Sequence, residues 1–190
     1  MKTRESGMPA EPSWETFFNP RCVVEKLGCV GLQRGVVEFG CGYGSFTVAA
    51  ASLVEGPVFA CDIDAEMVAA TEAKVRAAGL TNVVVERRDF MEQGCGRPDC
   101  SMGYAMLFNI LHAEDPVRLL REAYRALAPG GQVGIIHWKP DPNTPRGPSM
   151  AIRPRPEQCR EWGEKAGFDF VRAESLACCS WHYGLVMQRP

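Results

Sequence analysis

Val36-Val37-Glu38-Phe39-Gly40-Cys41-Gly42-Tyr43-Gly44 runs from a short apolar segment into three glycines spaced two apart, and the alanine-rich run Ser45 to Val54 follows at once. Residues 34–40 predict a strand, the glycines a tight turn and residues 45–54 a helix. Glycines at such a junction let backbone approach a ligand closely, and the helix start beyond them offers N–H groups and a positive dipole. Taken alone, the turn is compatible with a bare tight turn and with a nucleotide-like ligand. The dinucleotide pattern G-x-G-x-x-G needs a glycine where this chain has Ser45; here the third glycine comes one residue earlier, at Gly44.

Working outward, the strand–helix alternation repeats. Val58–Cys61 is strand-like, Ala65–Ala78 is helical and stops at Gly79, and Val83–Glu86 is strand-like again. Gly103–Asn109 is a largely apolar run. Asp115-Pro116 then opens a helix with Val117, Leu119, Leu120, Ala123, Tyr124 and Leu127 on one face, and Pro129-Gly130-Gly131 leads from it into a strand over Gln132–Trp138. Six prolines between Lys139 and Pro156 exclude regular helix there. Glu157–Ala166 predicts a helix ending at Gly167, and Phe168–Glu174 and Tyr183–Gln188 predict an antiparallel strand pair. Trp14 to Leu27 predicts a helix over the front of the sheet, interrupted near Asn19-Pro20. Strands apolar on both faces and separated by helices indicate an α/β, doubly wound (Rossmann-like) fold: a seven-stranded, mostly parallel sheet with an antiparallel last strand and helices on both faces.

The chain has 190 residues, 46% of them hydrophobic, which predicts one domain over 1–190 with a single core. Its expected parts are a helical cap (1–28), a ligand-binding half (29–138), a proline-rich loop (139–156) and a C-terminal helix and strand pair (157–190). The formal net charge of -2 creates no field that would favour nucleic acid or an anionic membrane. No apolar run approaches the roughly 18 residues of a membrane span, and Met1 to Glu11 lacks the apolar core of a secretory signal, so a cytoplasmic location without membrane insertion is expected. The nine cysteines fall mostly in apolar segments (Cys22, Cys29, Cys41, Cys61, Cys178, Cys179) and are expected to be reduced, buried thiols. Cys95, Cys100 and Cys178-Cys179 would hold a metalloid only if their sulfurs converged, and the spacing predicts no metal site.

The segment Val36 to Gly44 resembles motif I of class I S-adenosylmethionine-dependent methyltransferases, an acidic residue followed by G-x-G-x-G. Further along come Cys61-Asp62-Ile63-Asp64, Asp89-Phe90 and Leu127-Ala128-Pro129-Gly130-Gly131, in the order that family shows them. The resemblance spans about residues 30–175 and is similar to the ubiquinone/menaquinone methyltransferase group. One departure is Asp99-Cys100-Ser101-Met102, where the family often opens its fourth strand with an acidic and an apolar residue.

The resemblance implies S-adenosylmethionine as cofactor and S-adenosylhomocysteine as product. It implies that Gly40, Cys41 and Gly42 pass under the methionine part, and that Glu38 faces its ammonium group. Asp62 would accept from the ribose hydroxyls, Ile63 would cover an adenine face, and Asp89 would receive the adenine amine while the Phe90 main chain meets a ring nitrogen. Asn109 would touch the methionine end. Each position also has a plainer reading: Asp62 as a helix cap, Asp89 as a turn residue, Glu38 as a buried carboxylate paired elsewhere. Asp64 suits the capping role better than Asp62.

His112 follows the fourth strand and is the candidate general base, with loop ordering as its plainer role. His137 and Trp138 are candidates for an acceptor pocket or for core. Trp14, Phe17 and Phe18 either cover the cofactor or simply pack. The chain lacks the Asn/Asp-Pro-Pro-Tyr/Phe signature of enzymes that methylate nucleic-acid or amide nitrogens. Together with the near-neutral charge, this predicts a small-molecule methyl acceptor, no nucleic acid partner, and a monomer or homodimer. The alternatives carried forward are an NAD(P)-dependent oxidoreductase and a non-catalytic S-adenosylmethionine-binding protein.

Overall fold

The computed structural model describes residues 9–190, so the expectations for Met1 to Met8 lie outside the described residues. The elements are α1 (Glu11–Glu15), α2 (Pro20–Lys26), β1 (Val36–Phe39), α3 (Ser45–Ala51), β2 (Val58–Asp62), α4 (Ala65–Ala77), β3 (Val83–Arg87), α5 (Phe90–Gln93), β4 (Met102–Phe108), α6 (Pro116–Ala126), β5 (Leu127–Trp138), α7 (Pro156–Ala166), β6 (Asp169–Glu174) and β7 (His182–Gln188). The seven strands form one sheet in the order β3-β2-β1-β4-β5-β7-β6. Strands β1 to β5 pair in parallel, and β7 runs antiparallel to both of its neighbours. The expected mostly parallel sheet with an antiparallel last strand is the fold observed.

Alternation along β1 sends Val37 and Phe39 to one face and Val36 to the other. The first face is packed by Leu119, Leu120, Ala123 and Ala126 of α6 and by Cys159 and Ala166 of α7. The second is packed by Val23 and Val24 of α2 and by Phe46, Ala49, Ala50 and Ala51 of α3. Between β1 and β4 the strand order reverses, so the loops leaving their carboxyl ends diverge to opposite faces and open a crevice, the place where open α/β sheets bind ligands.

Helix starts follow the sequence signals. Asp64 caps α4 by accepting from the Glu66 N–H, Asp115 caps α6 by accepting from the Arg118 N–H, and Asn19 caps α2 by accepting from the Cys22 N–H.

Three features of the fold depart from the expectations or go beyond them. The strand expected at Gln132 already begins at Leu127, which pairs with Met102; the Gly130 N–H donates to the Arg189 carbonyl, and the Arg189 N–H donates to Gly131. Arg189 also donates to the Tyr124 carbonyl at 2.9 Å and to the Leu127 carbonyl, satisfying acceptors at the end of α6 that a longer helix would otherwise need. Secondly, α5, a single turn, has too few residues to show a period. Thirdly, Cys22 and Cys178 are joined in a disulfide across 156 residues with Cα atoms 6.5 Å apart, tying α2 to the β6–β7 connection. Apolar flanks do not distinguish a buried thiol from a buried disulfide. Cys29, Cys41, Cys61, Cys95, Cys159 and Cys179 are free and buried as expected, and Cys100 is free and exposed.

The proline-rich segment is ordered by one side chain. Arg153, 9% exposed, donates to the carbonyls of Pro148, Lys139 and Arg146 and to the Thr144 hydroxyl. No described helix is long and apolar enough to cross a membrane.

Candidate functional site

The glycine turn leaves β1 at the crevice. Gly40, Gly42 and Gly44 all have positive φ (76°, 53° and 75°), the region that side chains disfavour. A β-carbon at Gly40 would come within 2.7 Å of Ile110, and one at Gly44 within 3.0 Å of the Thr71 main chain on α4. Gly44 therefore does for α3 and α4 what the third glycine of the dinucleotide pattern does for helix and strand. Several N–H groups of the turn itself are taken up within the protein. Gly40 and Cys41 donate to the Cys61 carbonyl, Gly42 to the Asp62 carboxylate and Gly44 to the Cys41 carbonyl. The turn is thus built from within and presents glycine surface to the crevice.

Asp62 ends β2. One of its oxygens accepts from the Gly42 N–H at 2.9 Å and the other from the Asp64 N–H at 3.0 Å. A carboxylate has about four acceptor positions, so two remain for further donors. Burial raises its pKa, and the two N–H bonds oppose that rise. Asp64, as expected, takes the capping role on α4.

Glu38 projects from β1 toward α3, where its carboxyl accepts from the Thr47 hydroxyl. It is buried, and burial pushes its pKa up to about 8; the Thr47 hydrogen bond opposes the rise and the charge of Asp62 adds to it. Cys41 is buried beside this pair, with the Thr71 hydroxyl 3.4 Å from its sulfur. Without a cationic partner, Glu38 is therefore mostly protonated at neutral pH.

Asp89 and Phe90 follow β3. Asp89 caps α5 by accepting from the N–H groups of Met91 and Glu92. The Phe90 ring is buried edge-on against Phe39, centroids 5.5 Å apart, so it is core and only its main chain lies at the sheet edge. Ile63 is half-buried, and its carbonyl accepts from Arg87 at 3.2 Å.

At the end of β4, Asn109 has φ 56°, rare outside glycine, and its N–H donates to the Ile136 carbonyl of β5 at 2.8 Å. Both polar atoms of its side chain are buried without a hydrogen-bond partner among the described residues. An amide so placed calls for a polar ligand. Ile110, the next residue, packs against Gly40 and joins the β4 end to the glycine turn.

His112 is buried, with Nδ1 3.2 Å from His137 Nε2. It lines a cavity of about 320 Å³ together with Glu114, Ile152, Arg153, Arg155 and Trp162, between the β4–α6 loop, the proline-rich loop and α7. His137 and Trp138 are core. Trp14, Phe17 and Phe18 pack on Trp138 with centroids 6.5, 5.3 and 6.2 Å away, and Phe18 also meets Phe46 and His182.

Sequence reasoning missed Thr47, Thr71 and the seating of α1. The Tyr43 hydroxyl donates to the Pro9 carbonyl, Lys74 pairs with Glu11 and Glu15, and the Ser45 hydroxyl donates to Glu15, so α1 lies over the glycine turn. Only an acidic first helix with a lysine on a later one would have hinted at this. Cys95 and the Cys178-Cys179 pair do not converge: Cys95 lies beside Cys61 and Arg125, whereas Cys179 lies beside Phe17 and His182. Among the described residues no three His, Cys, Asp or Glu side chains gather as a metal site.

Residues 36–131, from β1 to the early part of β5, match the family described as a methyltransferase domain. The chain belongs to that family. A demethylmenaquinone methyltransferase of Listeria welshimeri is 32% identical over 126 residues, which are 64% of this chain and 52% of the relative. The chain thus spans about half the length of the curated relatives it matches. Among solved structures, a methyltransferase from Aquifex aeolicus described as dependent on S-adenosylmethionine superposes with a TM-score of 0.82 at 24% identity, covering 95% of this chain and 94% of that one. A second such protein, from Mesorhizobium loti, gives 0.69 at 20% identity, covering 95% and 99%. These structures share the fold, and the class I resemblance is borne out. Neither the oxidoreductase nor the non-catalytic alternative is favoured.

Proposed function

We propose that this methyltransferase-family chain binds S-adenosylmethionine and transfers its methyl group to a small organic acceptor by in-line displacement. The observation that carries the reading is the buried amide of Asn109, without a partner among the described residues and held at a strained backbone position where β4 meets the glycine turn. The surrounding residues fit the cofactor. Gly40 and Gly42, with Cys41 between them, leave room for its methionine part, and Glu38 offers a carboxyl to its ammonium group. Asp62, already aligned by two N–H donors, has acceptor positions left for ribose hydroxyls. Ile63 would cover the adenine, Asp89 its amine, and the Phe90 main chain a ring nitrogen; Asn109 would hold the methionine end.

When bound, the cofactor supplies a sulfonium methyl that is electrophilic without further activation. What remains for the protein is to align the acceptor and to exclude water. The α1 seat over the glycine turn serves the exclusion. His112, on the cavity wall, takes the proton of an acceptor that must lose one. The acceptor is assigned as a small molecule because the curated relatives are named for demethylmenaquinone and because the net charge of -2 offers no attraction to a polyanion.

Calorimetry tests the donor. S-adenosylmethionine and S-adenosylhomocysteine should bind and NAD should not, and Asp62→Ala should weaken binding at least tenfold with the fold intact; NAD binding alone would sink the reading. Incubation with small phenols, quinols, amines and thiols should yield S-adenosylhomocysteine with one of them, detected by mass spectrometry.

A further inference from the structure

His137 lies at the carboxyl end of β5, fully buried, with its Nε2 3.2 Å from His112 Nδ1 and the two rings set edge to face at 75°. Nothing in the proposed chemistry so far uses it. Among the described residues, the groups that face it are His112 from the β4–α6 loop, His182 and Tyr183 from β7, and Arg153 from the proline-rich loop. Burial, followed by the neighbouring His112, holds its pKa well below the ordinary histidine value. His137 is therefore neutral at neutral pH.

We infer that His137 is a positioning residue: its Nε2 accepts the His112 Nδ1 proton and thereby fixes His112 as the tautomer whose Nε2 carries the proton-accepting lone pair. A neutral histidine has one N–H and one lone pair, and the hydrogen bond at one nitrogen selects the role of the other. With Nδ1–H donated to His137, the His112 ring is set for base chemistry at Nε2. In the reverse arrangement, with His137 donating, Nε2 of His112 would carry the hydrogen and could only act as an acid.

His137 must then carry its own hydrogen on Nδ1. The Trp138 main chain favours protonation of this ring, although no hydrogen bond of ordinary geometry reaches Nδ1 among the described residues. When an acceptor hydroxyl gives its proton to His112 Nε2, one O–H bond breaks and one N–H bond forms, while the Nδ1 proton stays in place. The resulting imidazolium is stabilised by the bond to His137. The Arg153, Arg155 and Glu114 side chains line the same cavity. Arg153 is held by loop carbonyls, so it raises the cost of the second positive charge and makes the His137 contact matter more.

This inference rests on His112 being the acceptor's base, and it is tested without knowing the acceptor. The full chain has three histidines, so selective 15N labelling gives a simple spectrum. In the wild type, His112 should appear as the Nδ1–H tautomer, with a scalar coupling across the hydrogen bond to His137 Nε2. His137→Phe should lower the His112 titration midpoint by about one pH unit, a tenfold loss of proton affinity, and His137→Gln, whose Oε1 accepts the same proton, should recover most of it. S-adenosylhomocysteine binding should be equal in all three proteins. A wild-type His112 found as the Nε2–H tautomer, or an unmoved midpoint in a folded His137→Phe, overturns the inference. If that variant does not fold, the wild-type tautomer and coupling decide alone. Absent cofactor binding with the coupling present would instead remove the methyltransferase reading and leave the pair standing.

Discussion

Glu38 shows how a single residue ties this fold to its ligand. Its pKa is about 8 in the folded chain against an ordinary 4.5. The folded state therefore binds the Glu38 proton more tightly than the unfolded one. The stability this contributes is complete below about pH 4.5 and is lost as pH rises through about 8. The thermal midpoint of the wild type should fall relative to Glu38→Gln over that window, and two parallel midpoint curves would refute the assignment. Binding a cation reverses the preference. Cofactor affinity should rise with pH across the same interval, and calorimetry in buffers of different ionisation enthalpy should record a proton released on binding. The motif made Glu38 legible as a candidate, because an acid before three glycines is a local pattern. Its protonation was not legible, because that comes from burial in the folded chain, against which the hydrogen bond from Thr47, nine residues on, works.

At the scale of elements, two devices hold the crevice walls. The Cys22–Cys178 bridge fixes α2 to the β6–β7 connection. Closing so long a loop restricts the unfolded chain, and its removal in Cys22→Ser should cost about 2–4 kcal/mol in denaturant unfolding. The reduced wild type should match the variant. Arg153 gathers the proline-rich loop through carbonyls on both sides of its turn. In Arg153→Ala those acceptors lose their donor, and trypsin should then cut after Arg146 much faster, while the sheet's thermal transition stays cooperative.

The order of elements was legible because each rests on local signals: a two- or 3.6-residue period, a cap, a glycine stop. What escaped the sequence was set by partners far along the chain. Leu127 joins β5 because Met102 and Arg189 stand opposite it, and His112 meets His137 across 25 residues.

For the molecule as a whole, ligand binding and stability are linked. S-adenosylhomocysteine at about a hundred times its dissociation constant should add about 2.7 kcal/mol of stability, and a chain of this size should gain roughly 5–10 °C in melting temperature. Asp62→Ala should abolish most of that gain at the same concentration. The position of β7 has a consequence for how the protein is made. It lies between β5 and β6 yet follows both along the chain. A ribosome thus delivers β6 with no strand to pair with, and the crevice end of β5 keeps an open edge until the last strand emerges. The nascent chain can complete its glycine turn, β1 to β4 and the Asp62 anchor early. The edge of β5, the strand that carries His137, closes only after β7 has followed.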